Sequence, residues 1–191
     1  MRALTNRINF ILILLAVIWL VFAVNLIIPI KLGVHPRELS LSSAIGLFTS
    51  PFFHGSLGHI MANSIPLAML GFIYSMRFNN LANAIVVTFY LTILGNVGVW
   101  LFGAYGNHIG ASGLIFAFFG YIIAGVFSKG TILSKLRDIV LASVTMFLYG
   151  FMVLSFFNVE SGVSWSAHAW GFVAGLVLGA KHHFFNSDLE Q

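Results

Sequence analysis

The sequence predicts an all-α polytopic membrane protein of six transmembrane helices, and three observations carry that prediction. The chain of 191 residues is 59% hydrophobic and only 7% charged, where a soluble domain carries about 25% charged residues. A chain so poor in charge cannot cover a water-facing surface, so the lipid bilayer is its solvent. Six apolar stretches approach the roughly 20 residues that cross a hydrocarbon core. None alternates apolar and polar residues as a transmembrane strand does. Backbone polar groups in lipid must be satisfied within the segment, so all six read as helices.

The first stretch, residues 10–30, follows Arg2 and Arg7 as a secretory signal would. It is longer than the 7–15 apolar residues of a signal core and reads as a retained anchor. Residues 31–56 form a long connection with Pro36, Pro51 and several Phe and Leu, expected to lie in the membrane interface. The remaining spans fall at about 57–76, 81–102, 109–127, 139–157 and 163–180, joined by short connections. One side holds Arg2, Arg7, Arg77, Lys129, Lys135, Arg137 and Lys181, and the other only Lys31 and Arg37. The excess of basic residues places both termini in the cytoplasm. The whole of 1–191 is accounted for as one membrane domain with no soluble part. The absence of organelle-targeting features points to a bacterial plasma membrane.

Several chemistries are excluded at this stage. There is no cysteine, hence no thiol nucleophile, disulfide or cysteine-ligated metal. No long basic tract supports nucleic-acid binding. No span has an interior Asp or Glu, so neither a carboxylate proton relay nor a paired-aspartate protease has support; Asp138 falls at a span end and Glu38 and Glu160 in loops. A His-Glu-x-x-His zinc site is absent too.

Polar groups inside a membrane are costly and mark function. Those that remain are His59 and Asn63 in the second span, Asn96 in the third, Ser112 opening the fourth and His168 in the sixth. The second, fourth and sixth spans all enter from the outer face, which places His59, Ser112 and His168 within roughly 10 Å of that boundary. Asn63 lies at i+4 from His59, on the same helix face. The sixth span carries Gly171, Gly175 and Gly179 at four-residue spacing, a small-residue stripe that admits a close neighbour. The fourth opens Gly110-Ala111-Ser112-Gly113 and carries Gly120 further on. Packing of these two glycine faces would bring Ser112 Oγ to His168. A hydroxyl beside a neutral imidazole is the minimum for an activated serine nucleophile.

These residues resemble the rhomboid family of intramembrane serine proteases. Gly110-Ala111-Ser112-Gly113 is similar to the family's G-x-S-G motif, His59-x-x-x-Asn63 to its H-x-x-x-N motif, and Ala167-His168-x-x-Gly171-x-x-x-Gly175 to its last-helix motif. The resemblance covers about residues 45–180 and implies the minimal six-helix bacterial form. It implies that Ser112 is the nucleophile and His168 its general base, with no acidic third member. It further implies an oxyanion hole of the Ser112 backbone N–H and the His59 and Asn63 side chains. No metal or cofactor is implied, and the partners are transmembrane protein substrates and the bilayer. Water must reach the site, so a polar cavity is expected, with the 31–56 loop, the fifth span and a 158–162 cap as its walls and gate. Two departures stand out. Phe116 occupies a position where members often carry a tyrosine stacked on the histidine, and the Trp-Arg pair of some first outer loops is missing.

Blander readings accompany the sharp ones. His59 and Asn63 also suit an interhelical hydrogen-bond clamp. His54 lies off the His59 helix face and is expected to pin the loop through backbone contacts. His108 reads as a solvated loop residue, His182 and His183 as tail residues, and Asn96 has no assigned role. The competing functions are a catalytically inactive rhomboid-like binder of membrane segments, and a haem or transport protein using His59 and His168. Retention of both Ser112 and His168 argues against the first, and the tight glycine faces against the second.

Overall fold

The computed structural model describes residues 2–30, 32–127, 129–156 and 164–181. Lys31, Phe157, the 158–162 cap, Val163, His182 and His183 lie outside the described residues. Among the described residues the chain forms α-helices, short 3-10 turns and one isolated bridge, with no strand. Four helices among these residues are long and apolar enough to cross a membrane.

The first helix, α1 (Arg2–Ile27), begins before the apolar stretch and takes both arginines into its first turns. It buries Phe10, Leu14, Ile18 and Phe22. These four recur at four-residue steps, so they form one stripe, while Leu12, Leu20 and Leu26 remain exposed on the other faces. That stripe meets α3 (Leu57–Ser75), where Trp19 Nε1 also donates to Ser64 Oγ at 3.1 Å.

The long connection is not irregular throughout. It contains a helix, α2 (Leu41–Thr49), capped by Ser40, whose side chain accepts from Ser43 N. A 3-10 turn Ser50–Phe52 follows, with Pro51 in its first turn, where proline's missing N–H costs nothing. The connection is held on α4 (Leu81–Phe102). Arg37 N donates to the Trp100 carbonyl at 2.9 Å, Trp100 Nε1 donates to the Glu38 carbonyl at 3.0 Å, and the Arg37 guanidinium donates to the Gly103 carbonyl at 3.0 Å. Asn96 acquires a role here, donating from Nδ2 to the Leu47 carbonyl at 2.9 Å and to Ser50 Oγ at 2.8 Å.

The centre of the bundle is α5 (Ser112–Ala124), continued by a 3-10 turn Gly125–Phe127. Every residue from Leu114 to Ile122 is buried. A helix walled by protein need not match the lipid thickness, which accounts for its shortness. It packs most extensively on α7 (Trp165–Ala180). The glycine stripe makes that possible. A Cβ on Gly171, Gly175 or Gly179 would lie 2.1, 2.2 and 2.4 Å from the carbonyl oxygens of Gly113, Ala117 and Tyr121. The three carbonyls repeat at the same four-residue step, so two matched ridges run together. From the other side, a Cβ on Gly95 of α4 would stand 3.3 Å from Gly171 Cα. The last helix is thereby held between α4 and α5.

On the far side, α6 (Ile132–Tyr149) starts seven residues before the expected span and continues as a 3-10 turn Gly150–Phe156. Thr131 caps it, its side chain accepting from Ser134 N. Asp138 sits inside this helix rather than at a span end, 2% exposed. It pairs with Arg77 at 3.2 Å and with Arg137 at 3.1 Å. Arg77, counted from the sequence as a cytoplasmic loop charge, is 1% exposed. Its Nη1 donates to the Tyr121 carbonyl at 3.4 Å, tying the ends of α3, α5 and α6 together.

Candidate active site

The segment before α5 is built so that Ser112 opens the helix. Gly110 has φ +112°, a conformation open to glycine and strained for other residues. A Cβ there would also lie 2.6 Å from His59 Nε2, so glycine is required on two counts. Gly110 N donates to the Ser50 carbonyl at 3.0 Å. Ala111 follows with helical dihedrals (φ −71°, ψ −7°) and its carbonyl accepts from Ile115 N. Ser112 is therefore the first helical residue. The N–H groups of Ser112 and Gly113 lie in a first turn, where helix geometry offers them no intrahelical partner and the dipole favours negative charge.

One wall of this turn is the start of α3. Ser56 caps the helix, accepting from His59 N at 3.1 Å, which sets His59 in the first turn and Asn63 one turn further. His59 is half-buried and Asn63 is 6% exposed. The amide Nδ2 of Asn63 is buried, with no hydrogen-bond partner among the described residues. It lies 3.6 Å from where a Gly110 Cβ would stand. A buried donor without a partner is rare in folded proteins and calls for a ligand or a task.

The other wall is α7. Ser164 caps it, accepting from Ala167 N at 3.1 Å, and His168 follows one turn on, 6% exposed. Gly113 and Gly171 bring the two backbones into contact, and a Gly113 Cβ would meet the Ala167 carbonyl at 3.3 Å. One turn below Ser112, the Phe116 ring stacks on His168 with centroids 4.4 Å apart and planes 22° from parallel. The aromatic face that orients the imidazole is thus kept without a hydroxyl. Residues 110–116 are therefore bounded by His59 and Asn63 on one side and by His168 on the other.

The rhomboid-domain family model matches residues 41–183. The chain belongs to the rhomboid family. Uncharacterized proteins of Mycobacterium bovis and Mycobacterium tuberculosis are each 37% identical to this rhomboid over 172 residues, 85% of this chain and 69% of theirs. An uncharacterized protein of Mycobacterium leprae is 33% identical over 150 residues, 74% of this chain and 57% of its own. The match begins at the first residue of α2, so α1 and residues 2–40 stand outside it.

One histidine of this rhomboid differs from its sequence reading, and a second matches its reading through a partner the sequence did not name. His108 is not a solvated loop residue: it is 8% exposed, and its ring bonds Ser164 Oγ and the Ala104 carbonyl. Its backbone forms the bridge to Val34, and burial lowers its pKa. His108 therefore fastens the loop before Ser112 to the cap of α7. His54 makes the expected backbone contact, but its partner is the Ala111 N–H, which donates to His54 Nε2 at 3.3 Å. The sequence carried no signal for either pairing.

Proposed function

We propose that this rhomboid is an intramembrane serine protease that hydrolyses peptide bonds in or near transmembrane segments, using Ser112 as nucleophile and His168 as general base. The observation that carries the reading is the unpartnered Asn63 amide beside the turn that opens into Ser112, opposite the Phe116-stacked His168. His59, Asn63 and the Ser112 N–H are the oxyanion donors.

The chemistry follows from those positions. Ser112 Oγ attacks the scissile carbonyl carbon as its proton passes to the His168 ring. The carbonyl oxygen becomes an oxyanion, and preorganised donors in a low-dielectric site stabilise it strongly. Collapse breaks the C–N bond, and the leaving amine takes the proton from His168. Water then enters, gives a proton to His168 and releases the acid from Ser112 by the same route. A substrate helix must unwind locally, because a carbonyl paired within a helix cannot meet the nucleophile.

In the orientation favoured by the basic residues, both termini are cytoplasmic and the site lies beneath the outer face of a bacterial plasma membrane. Reconstitution with a labelled transmembrane peptide tests the reading. Cleavage by the wild type and none by Ser112→Ala is expected; undiminished cleavage by Ser112→Ala would end it, and absence of cleavage by the wild type would favour an inactive binder.

A further inference from the structure

Resting on the serine-protease reading, we propose that His54 is a positioning residue, which orients the backbone of the oxyanion hole by accepting the Ala111 N–H. It sits between the 3-10 turn and α3, 2% exposed. Two successive N–H groups are consumed by acceptors from the same short segment. Gly110 N donates to the Ser50 carbonyl at 3.0 Å and Ala111 N to His54 Nε2 at 3.3 Å. Ser112 then supplies the next donor along the chain, the one assigned to the oxyanion. The same ring meets His59 edge-on, with centroids 5.0 Å apart and planes at 67°. One imidazole therefore touches the residue just before the Ser112 donor and the ring of His59.

With Nε2 accepting, a neutral ring carries its proton on Nδ1. That Nδ1 is buried and the ring is also held by the backbone of Phe52 in its own segment, so the tie across to the loop before Ser112 runs through Nε2. The loop also needs a tie at this point. His54, Asn107 and Ile109 line a cavity of about 800 Å³ beneath the outer end of α1, so the chain leading to Ser112 is not packed against a helix along that wall. His35, with Glu38 at 3.7 Å from it, faces the same cavity.

The test uses the full chain in proteoliposomes with a transmembrane reporter peptide. His54→Gln carries an acceptor out to the Nε2 position, His54→Asn falls short of it, and His54→Leu fills the volume with no acceptor. A misplacement of about 1 Å at a reacting centre costs up to about 100-fold in rate. His54→Leu and His54→Asn are therefore expected to lower kcat at least about tenfold with KM within about twofold, and His54→Gln to restore most of it. Labelling by a serine-directed phosphonate should slow in parallel, and in each variant by more than its drop in melting temperature accounts for. Equal kcat in the Asn, Leu and Gln variants, or a loss confined to KM, would overturn the proposal. So would a loss that tracks melting temperature alone. A Ser112→Ala arm separates the two claims: if it cleaves, the protease reading falls and this one with it. If it is inactive while the His54 variants match the wild type, only the positioning role falls.

Discussion

One methyl group added at Gly171 probes the helix contact on which the site depends. In Gly171→Ala the new Cβ would lie 2.1 Å from the Gly113 carbonyl oxygen, against ordinary contact from about 3.4 Å. Both partners are backbone, so no side chain can rotate away, and α5 and α7 must part by about 1.3 Å at that level (3.4 less 2.1). Overpacking of this kind costs about 1–3 kcal/mol. Because Ser112 and His168 stand on the two helices being parted, the proposed cleavage activity per folded molecule should also fall on the order of 100-fold in kcat/KM. Gly179→Ala is the control: its Cβ would meet the Tyr121 carbonyl at 2.4 Å, a similar clash two turns away from the site. The assay is cleavage of a transmembrane reporter, normalised to folded protein by thermal melting. Both variants should melt lower, and only Gly171→Ala should lose most of its activity per folded molecule. An unchanged melting temperature in Gly171→Ala, or equal activity losses in the two variants, would refute the reasoning.

Removing either side-chain oxyanion donor, in His59→Ala or Asn63→Ala, should lower kcat by about 100-fold, as loss of one such donor typically does; a change under about threefold would remove that residue from the hole. Phe116→Leu removes the ring stacked on His168; aromatic contacts of this kind are worth about 0.5–1.5 kcal/mol, so kcat should fall by a factor of about 3–10, with KM steady in the same assay. Arg77→Met removes the buried one of the two arginines on Asp138 and leaves Arg137 in place, which should destabilise the fold by about 1.5–3 kcal/mol, the worth of a hydrogen bond to a charged group, read as a drop in melting temperature with cleavage at low temperature retained. Stability should also fall with acid. Burial first, and the charge of His59 second, push the His54 pKa from 6.5 to about 4. Between those values the unfolded chain binds a proton the folded chain does not, so this stabilisation is complete above pH 6.5 and drains away as pH falls toward 4. Melts recorded across that window should slope less steeply in His54→Leu; an identical slope would show that His54 does not titrate on unfolding.

What the sequence made legible was local or periodic. The apolar stretches, the Gly171–Gly175–Gly179 stripe and the i+4 spacing of His59 and Asn63 are each readable within a few turns, and they predict which faces meet. Ser112 and Gly110 were legible as a motif, although the positive φ of Gly110 and its contact with His59 emerge only in three dimensions. The early start of α6 was hidden because its first turns carry Lys135, Arg137 and Asp138, which depress any hydropathy window. Pairings across long stretches of chain leave no periodic trace. Arg77 with Asp138, His54 with the Ala111 N–H, and His108 with Ser164 are of this kind. Arg77, His54 and His108 each read as a loop residue, yet each is buried against a partner about 60 residues away.

The most direct test of the assigned nucleophile is to treat the reconstituted protein with a serine-directed fluorophosphonate and map the adduct by mass spectrometry. The account predicts a single adduct on Ser112, formed readily in the wild type and at a small fraction of that rate in His168→Ala. An adduct on another serine, or labelling of Ser112 at the same rate without the His168 imidazole, would contradict it.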